Sequence, residues 1–378
     1  RAASVMVTGS HIPFDRNGIK FYRPTGEITK ADEAAICQAR ADMPVVIQVE
    51  NLPKANPAAW RLYVARYSGF FPGRPLAGMR LGFYEHSSLA RDILREILEA
   101  LGAAVISLGR TDEFAPIDTE AVAEADVRQA RLWAAEHGFD AILSTDGDAD
   151  RPLLGDEQGN WLRGDIVGIL CAQYLGAQAV VTPVSSNTAL ELCGAFARTL
   201  RTRIGSPYVI AGMEAMIADG AQGVVGFEAN GGFLVGSPMT LDGGVLQPLP
   251  TRDAVLPILA LLAMAKGKGV PVSHLLSGLP PRYTASDRLQ DYPTEQSRRR
   301  LQELAATDAA QNALLGDLCG APVGQDETDG LRMTFENGEI VHLRPSGNAP
   351  ELRCYAEAAS QERAAFLVAA CLERISHR

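Results

Sequence analysis

Thr145-Asp146-Gly147-Asp148-Ala149-Asp150-Arg151 sets three carboxylates at alternate positions on a short, glycine-containing stretch. On a single loop such side chains can converge on one hard cation. Divalent ions of the magnesium type take oxygen ligands and are held by a few carboxylates together with phosphate oxygens. Arg151 completes the charge balance or grips a phosphoryl oxygen, because the planar guanidinium matches phosphate geometry in a fork. The alternative is a solvated acidic turn. The context argues against it: Ala141-Ile142-Leu143, just upstream, reads as a buried strand, and α/β sheets bind ligands at the carboxyl ends of their strands.

Three further segments carry chemistry. Near the start, Val5-Met6-Val7 delivers Ser10 into Thr8-Gly9-Ser10-His11-Ile12-Pro13, followed by Asn17-Gly18-Ile19-Lys20. A serine presented on a loop bounded by glycine and proline is a candidate nucleophile, with His11 as a group that titrates near neutrality and Lys20 as a stabiliser of phosphoryl charge. A turn whose serine caps a helix is the competing reading. Arg344-Pro345-Ser346-Gly347-Asn348-Ala349-Pro350, running on to Arg353, combines arginine, small hydrogen-bonding side chains and a glycine. It reads as a phosphate cradle or as a surface turn. Gly226-Phe227-Glu228-Ala229-Asn230-Gly231-Gly232 follows Val224-Val225. Glu228 and Asn230 suit vicinal sugar hydroxyls, and a plain hairpin turn accounts for the same pattern.

Taken in order, the four segments resemble the α-D-phosphohexomutase superfamily, which includes phosphomannomutase, phosphoglucomutase and phosphoglucosamine mutase. Its members carry T-A/G-S-H-N-P for a phosphoserine, D-G-D-x-D-R for a metal, G-E-x-S-G-H for the sugar and R-x-S-G-T-x-P for a phosphate. Arg201-Thr202-Arg203-Ile204-Gly205 resembles the family's R-T-x-V-G segment, and Thr251-Arg252-Asp253 its T-x-D-G segment. The resemblance implies a multidomain protein with α/β domains around a central cleft and a C-terminal α+β domain. It also implies an isomerase that moves a phosphoryl group between Ser10 and a hexose phosphate through a hexose 1,6-bisphosphate. Ser10, Asp146, Asp148 and Asp150 would hold Mg2+, with His11, Lys20 and Arg151 around the transfer. Glu228 and Asn230 would read the sugar, and Arg344, Ser346, Gly347, Asn348 and Arg353 would anchor the other phosphate. Mannose and glucose phosphates are the implied substrates, because the sugar loop lacks the G-E-Q-S-G-H form common in glucosamine-phosphate enzymes. A metal-dependent sugar phosphatase, a phosphoglucosamine mutase and a non-catalytic sugar-phosphate sensor are the alternatives.

The sequence departs from the family pattern at Ile12 (for Asn), Gly232 (for His) and Asn348-Ala349 (for Thr-Glu). It opens nine residues before Ser10 and contains no F-G-T-D-G-I-R-G-like segment. Either the upstream residues are not included in this sequence or the chain is a trimmed form, and in the second case a partial first domain is expected to expose sheet edge and apolar surface.

Composition bounds the rest. A chain of 378 residues supports two to four domains. A net charge of -10 argues against a general nucleic-acid binder, which usually presents a basic face. Cys37, Cys171, Cys193, Cys319, Cys354 and Cys371 show no C-x-x-C spacing, so buried free thiols are expected rather than disulfides or zinc. The longest apolar run, Ala254 to Ala265, is interrupted by Pro257, and nothing reads as a signal peptide or membrane span. The expectation is a cytoplasmic enzyme of small-molecule sugar phosphates, monomeric or weakly dimeric. Breaks near Phe70-Phe71-Pro72-Gly73 and Leu279-Pro280-Pro281 divide it into units 1–74, 75–178, 179–282 and 283–378. Helices are expected at Lys30 to Arg40, Leu89 to Leu101, after Ser185-Ser186-Asn187, and at Gln361 to Ile375.

Overall fold

The computed structural model describes residues 2–10, 17–42, 54–347 and 350–377; His11 and Asn348 lie outside them. In the unit that carries the acidic loop, strand Arg80–Tyr84 lies between Ala104–Leu108 and Ala141–Thr145 and runs parallel to both. Ala141–Thr145 then turns back into antiparallel Pro152–Gly155. Both strands of this hairpin are buried throughout, as expected for a sheet covered on both faces. The next sheet repeats the plan. Ala179–Pro183 lies between Arg198–Thr202 and Val224–Phe227, parallel to both, and Val224–Phe227 turns back into Phe233–Val235. Leu249–Asp253 adds a fifth, antiparallel strand.

Helices Gly164–Tyr174 and Val255–Lys268 pack together, and one continuous apolar core joins the two sheets, running from Leu81 and Leu143 through Ile169 to Val225 and Leu261. The run Ala254 to Ala265 is therefore core helix. Pro257 falls in its first turn, where the missing N–H costs nothing. Among the described residues no single helix is long and apolar enough to cross a membrane. The helix expected over Leu89 to Leu101 is shorter, Ile93–Ala100. Its upstream residues have another use: Ser88 Oγ accepts from the Ala90 N–H, and the Leu89 N–H reaches the Gly147 carbonyl at 3.0 Å. Asn187 accepts from the Ala189 N–H at the start of the short helix Ala189–Leu192.

The C-terminal unit is a fully antiparallel sheet in the order Tyr283–Leu289, Leu352–Ala358, Ile340–Pro345, Leu331–Phe335, Pro322–Asp326. Helices Thr294–Ala305, Asp308–Cys319 and Gln361–Ser376 cover it, and its apolar core is separate. Cys171, Cys319, Cys354 and Cys371 are buried free thiols, while Cys37 is exposed. The first unit is a small antiparallel sheet, Ser4–Thr8, Gly18–Arg23 and Gly26–Glu27, followed by helix Lys30–Gln38. Val5, Val7 and Ile19 lie on it more than half exposed.

His342 is buried in the C-terminal sheet, its ring stacked on Tyr355 and its Nε2 2.6 Å from the Asp329 carbonyl. Nδ1 has no partner, so protonation would add an N–H with nothing to bond. Burial accordingly pushes the His342 pKa down from 6.5 to about 4. The unfolded chain takes up this proton below pH 6.5 and the folded domain resists it until about pH 4, so stability falls as pH drops through that window. The loss reaches about 3 kcal/mol at most. Hydrogen-exchange protection of Leu331–Phe335 and Ile340–Pro345 should decline between pH 6.5 and 4, and His342→Gln should remove that slope.

Candidate active site

The acidic loop closes the hairpin between Thr145 and Pro152. Asp146 Oδ1 accepts from the Asp150 and Arg151 N–H groups, each at 3.1 Å, and the Ala149 backbone takes the left-handed conformation that a tight loop needs. A second layer stiffens it from behind: His86 Nε2 lies 2.9 Å from the Thr145 carbonyl, and Ser88 and Thr145 hydroxyls pair at 2.6 Å. Asp146, Asp148 and Asp150 thereby bring one carboxylate oxygen each within 4.8 Å of the others.

The serine loop comes down on this cluster. Ser10 Oγ donates to Asp146 Oδ2 at 2.6 Å, and the Ser10 backbone, with φ of 49°, is braced by an N–H to Thr8 Oγ1 bond of 2.9 Å. Thr8 Oγ1 also donates to Asp148 Oδ2. The approach is so close that a side chain at Gly147 would lie 2.6 Å from the Ser10 carbonyl oxygen. Lys20 Nζ lies 2.5 Å from Asp148 Oδ2 and 3.0 Å from Asp150 Oδ2, and Arg151 Nε lies 3.8 Å from Asp146 and 3.6 Å from Asp150.

Electrostatics separates the three acids. Burial, then the charges of Asp150 and Asp148, raise the Asp146 pKa to about 7. Burial pushes Asp148 the same way, but the Lys20 hydrogen bond and charge outweigh it and hold that carboxyl down to about 2. Lys20 is itself raised: burial works against its charge, and Asp150 and Asp148 more than offset that. The set suits a divalent cation. It is all oxygen, and Asp148 Oδ1 and Asp150 Oδ1 are buried without a hydrogen bond, which leaves acceptor capacity that a hard ion would use.

The sugar-loop candidates occupy the corresponding hairpin of the next sheet, between Phe227 and Phe233. The segment is a hairpin turn in shape. Glu228 is buried and reaches Arg252 Nη1 at 3.2 Å. Asn230 spends its side-chain oxygen on the Gly232 N–H at 2.9 Å, and its carbonyl accepts from Thr119 of the neighbouring unit. Arg252 Nη2 lies 2.7 Å from Asp150 Oδ2, so the metal-loop and sugar-loop acids share one guanidinium.

In the C-terminal sheet Arg344 and Arg353 face each other across the strand pair, and like charges placed so repel unless an anion intervenes. Arg344 Nε bonds Asp329 at 3.0 Å, and the same carboxylate oxygen accepts from the Ile204 N–H of the sugar unit at 2.9 Å. Ser346 is buried and its N–H bonds the Glu351 carbonyl, while Gly347 is open to solvent. Arg353 lies 3.8 Å from Glu351. Glu120 feels the charges of Arg151, Arg163 and Arg353, which ties the phosphate-loop strand electrostatically to the metal loop.

Models of phosphoglucomutase/phosphomannomutase domains match in sequence: alpha/beta/alpha domain I at 1–43, domain II at 71–159, domain III at 163–283 and the C-terminal domain at 295–374. The chain belongs to the phosphoglucomutase/phosphomannomutase family. A phosphomannomutase of Salmonella muenchen is 50% identical, covering 100% of this chain and 78% of the relative. A phosphoglucomutase/phosphomannomutase family protein of Burkholderia thailandensis has the same fold at a TM-score of 0.71 and 18% identity, over 99% of this chain and 75% of its own. The Aspergillus fumigatus N-acetylphosphoglucosamine mutase, solved with GlcNAc-6P and magnesium, follows at a TM-score of 0.62 and 16% identity, over 99% and 89%.

Within the family frame, sequence reasoning missed three residues. Arg252 entered only through the resemblance of Thr251-Arg252-Asp253 to the T-x-D-G segment, although an arginine near the end of a strand beside a ligand loop is a usable signal. Asp329 and Glu120 gave none, because their partners are brought together only by the packing of separate domains.

The acidic triad predicts a single divalent-cation site. Calorimetric titration with Mg2+ should find one site per chain, and Asp148→Asn should weaken it about tenfold or more.

Proposed function

We propose that this protein interconverts hexose 1-phosphate and hexose 6-phosphate, with mannose phosphates as substrates, by way of a phosphoserine at position 10 and a hexose 1,6-bisphosphate. The observation that carries the reading is the 2.6 Å bond from Ser10 Oγ to Asp146 inside the acidic triad. Similarity to a phosphomannomutase, over 100% of this chain and 78% of that relative, supports the choice of sugar. A phosphatase would leave Ser10 without a part in the chemistry.

In the forward half-reaction a sugar hydroxyl oxygen attacks the phosphorus of phosphoserine 10. The bond from phosphorus to Oγ breaks, the hydroxyl proton leaves with a base, and the sugar becomes a bisphosphate. After the bisphosphate turns over, Ser10 Oγ attacks the phosphorus of the other phosphate, the bond from that phosphorus to the sugar oxygen breaks, the serine hydroxyl gives its proton to a base, and the sugar oxygen takes up a proton as the second isomer leaves. Asp146 Oδ2 accepts a hydrogen bond from the Ser10 hydroxyl, which holds Oγ against the acidic triad for the returning step. Lys20 and Arg151 neutralise charge on the phosphoryl oxygens, and Arg344 and Arg353 anchor the phosphate that does not react. Mg2+, held by Asp146, Asp148 and Asp150, supplies further charge neutralisation when bound. Positioning and electrostatics of this kind account for most of the acceleration in phosphoryl transfer.

Intact-mass spectrometry should find a fraction of chains heavier by one phosphoryl group, absent in Ser10→Ala. A coupled assay started with the matching bisphosphate should favour mannose 1-phosphate over glucose and glucosamine 1-phosphates. Release of inorganic phosphate without formation of the 6-phosphate would sink the proposal. Gly147→Ala, which drives a methyl group onto the Ser10 carbonyl, should lower kcat/KM about 100-fold with the fold intact.

A further inference from the structure

Arg252 has an unusual route to its partners. Its aliphatic stem runs over Gly232, where a methyl group would lie 2.7 Å from Arg252 Cδ and 3.0 Å from Cγ. These are mid-chain atoms, so they cannot swing aside while the guanidinium keeps its contacts. Position 232 therefore has to lack a side chain for Arg252 to follow this path. The backbone leaves little choice of direction. Asp253 sits opposite Phe233 across the strand pair, its carboxylate takes the hydroxyls of Tyr63 and Tyr67, and it accepts from the Val255 N–H. With Asp253 clamped into the interior, alternation along the strand turns Arg252 to the other face.

There the guanidinium spans two loops. It lies 2.7 Å from Asp150 Oδ2 and 3.2 Å from Glu228 Oε2, and the three side chains are 12%, 15% and 6% exposed. Burial works against the charge of Arg252, but Asp150, Glu228 and Glu27 outweigh it and keep the group cationic. Its buried Nε still makes no hydrogen bond.

We infer that Arg252 is a positioning residue that couples the two ligands of this site, holding Glu228 in place for the sugar while competing with the divalent cation for Asp150. The inference rests on the mutase reading above. It has a signature that a merely structural residue lacks, because the two effects have opposite sign. Removing the guanidinium frees Asp150 for the cation, with Lys20 still 3.0 Å from the same oxygen. The same change releases Glu228 from its orientation and takes positive charge from the sugar phosphate's surroundings.

The test is calorimetry on the full chain, with Mg2+ and separately with mannose 6-phosphate as titrants, for the wild type, Arg252→Gln and Gly232→Ala. The second variant displaces the arginine stem without deleting its charge, and thermal melts check that both variants fold. The expected result in both is Mg2+ binding about tenfold tighter and mannose 6-phosphate binding about tenfold weaker. Loss of both affinities together, or no change in either, would overturn the inference while leaving the mutase reading standing. A wild type that binds Mg2+ but no mannose 6-phosphate would overturn both.

Discussion

Three carboxylates with ligand atoms inside 4.8 Å repel one another by about 3 kcal/mol per pair at an effective dielectric near 20. A buried loop tolerates that only if cations are brought to it, and most of the cleft consists of the groups that do so. Lys20 arrives from the first sheet, Arg151 from the loop itself and Arg252 from the last strand of the sugar unit. The uneven result follows from burial and the neighbouring acids, which raise Asp146, and from Lys20, whose bond and charge outweigh burial at Asp148. Charge balance thus links three parts of the chain at this point.

The metal loop and the sugar loop turn out to be the same structural position used twice. Each closes an antiparallel hairpin that follows a parallel pair, at residues 146–151 and 228–232. No internal repeat stood out in the sequence, because the two units share topology rather than residues. Once the units pack through a common core, the two turns face one cleft, and Arg252 can touch an acid from each.

Much of this was legible beforehand. The acidic triplet after an apolar strand, the serine loop and the division into α/β units all carry local signals: alternate carboxylates, Gly and Pro punctuation, and strand periodicity. The course of residues 89–92 was not, because a helical pattern there competes with a long-range bond from Leu89 to Gly147. Asn230 looked like a free sugar reader, yet part of its hydrogen-bonding capacity goes to its own turn. The roles of Asp329 and Glu120 depend on contacts between domains, which no spacing rule encodes.

The two central units share a single apolar core, whereas the C-terminal unit has its own and meets the sugar unit through bonds such as Asp329 to Ile204, Glu357 to Thr188 and Glu357 to Arg282. Water can replace polar links of that sort at small net cost. The distance between the acidic loop and the 228–232 turn is therefore fixed by packing, while the placement of the arginine-bearing sheet rests on polar bonds. A change of charge or solvent at Ile204, Asp329, Thr188 or Glu357 therefore bears on where that sheet sits, and leaves the spacing of the two turns untouched.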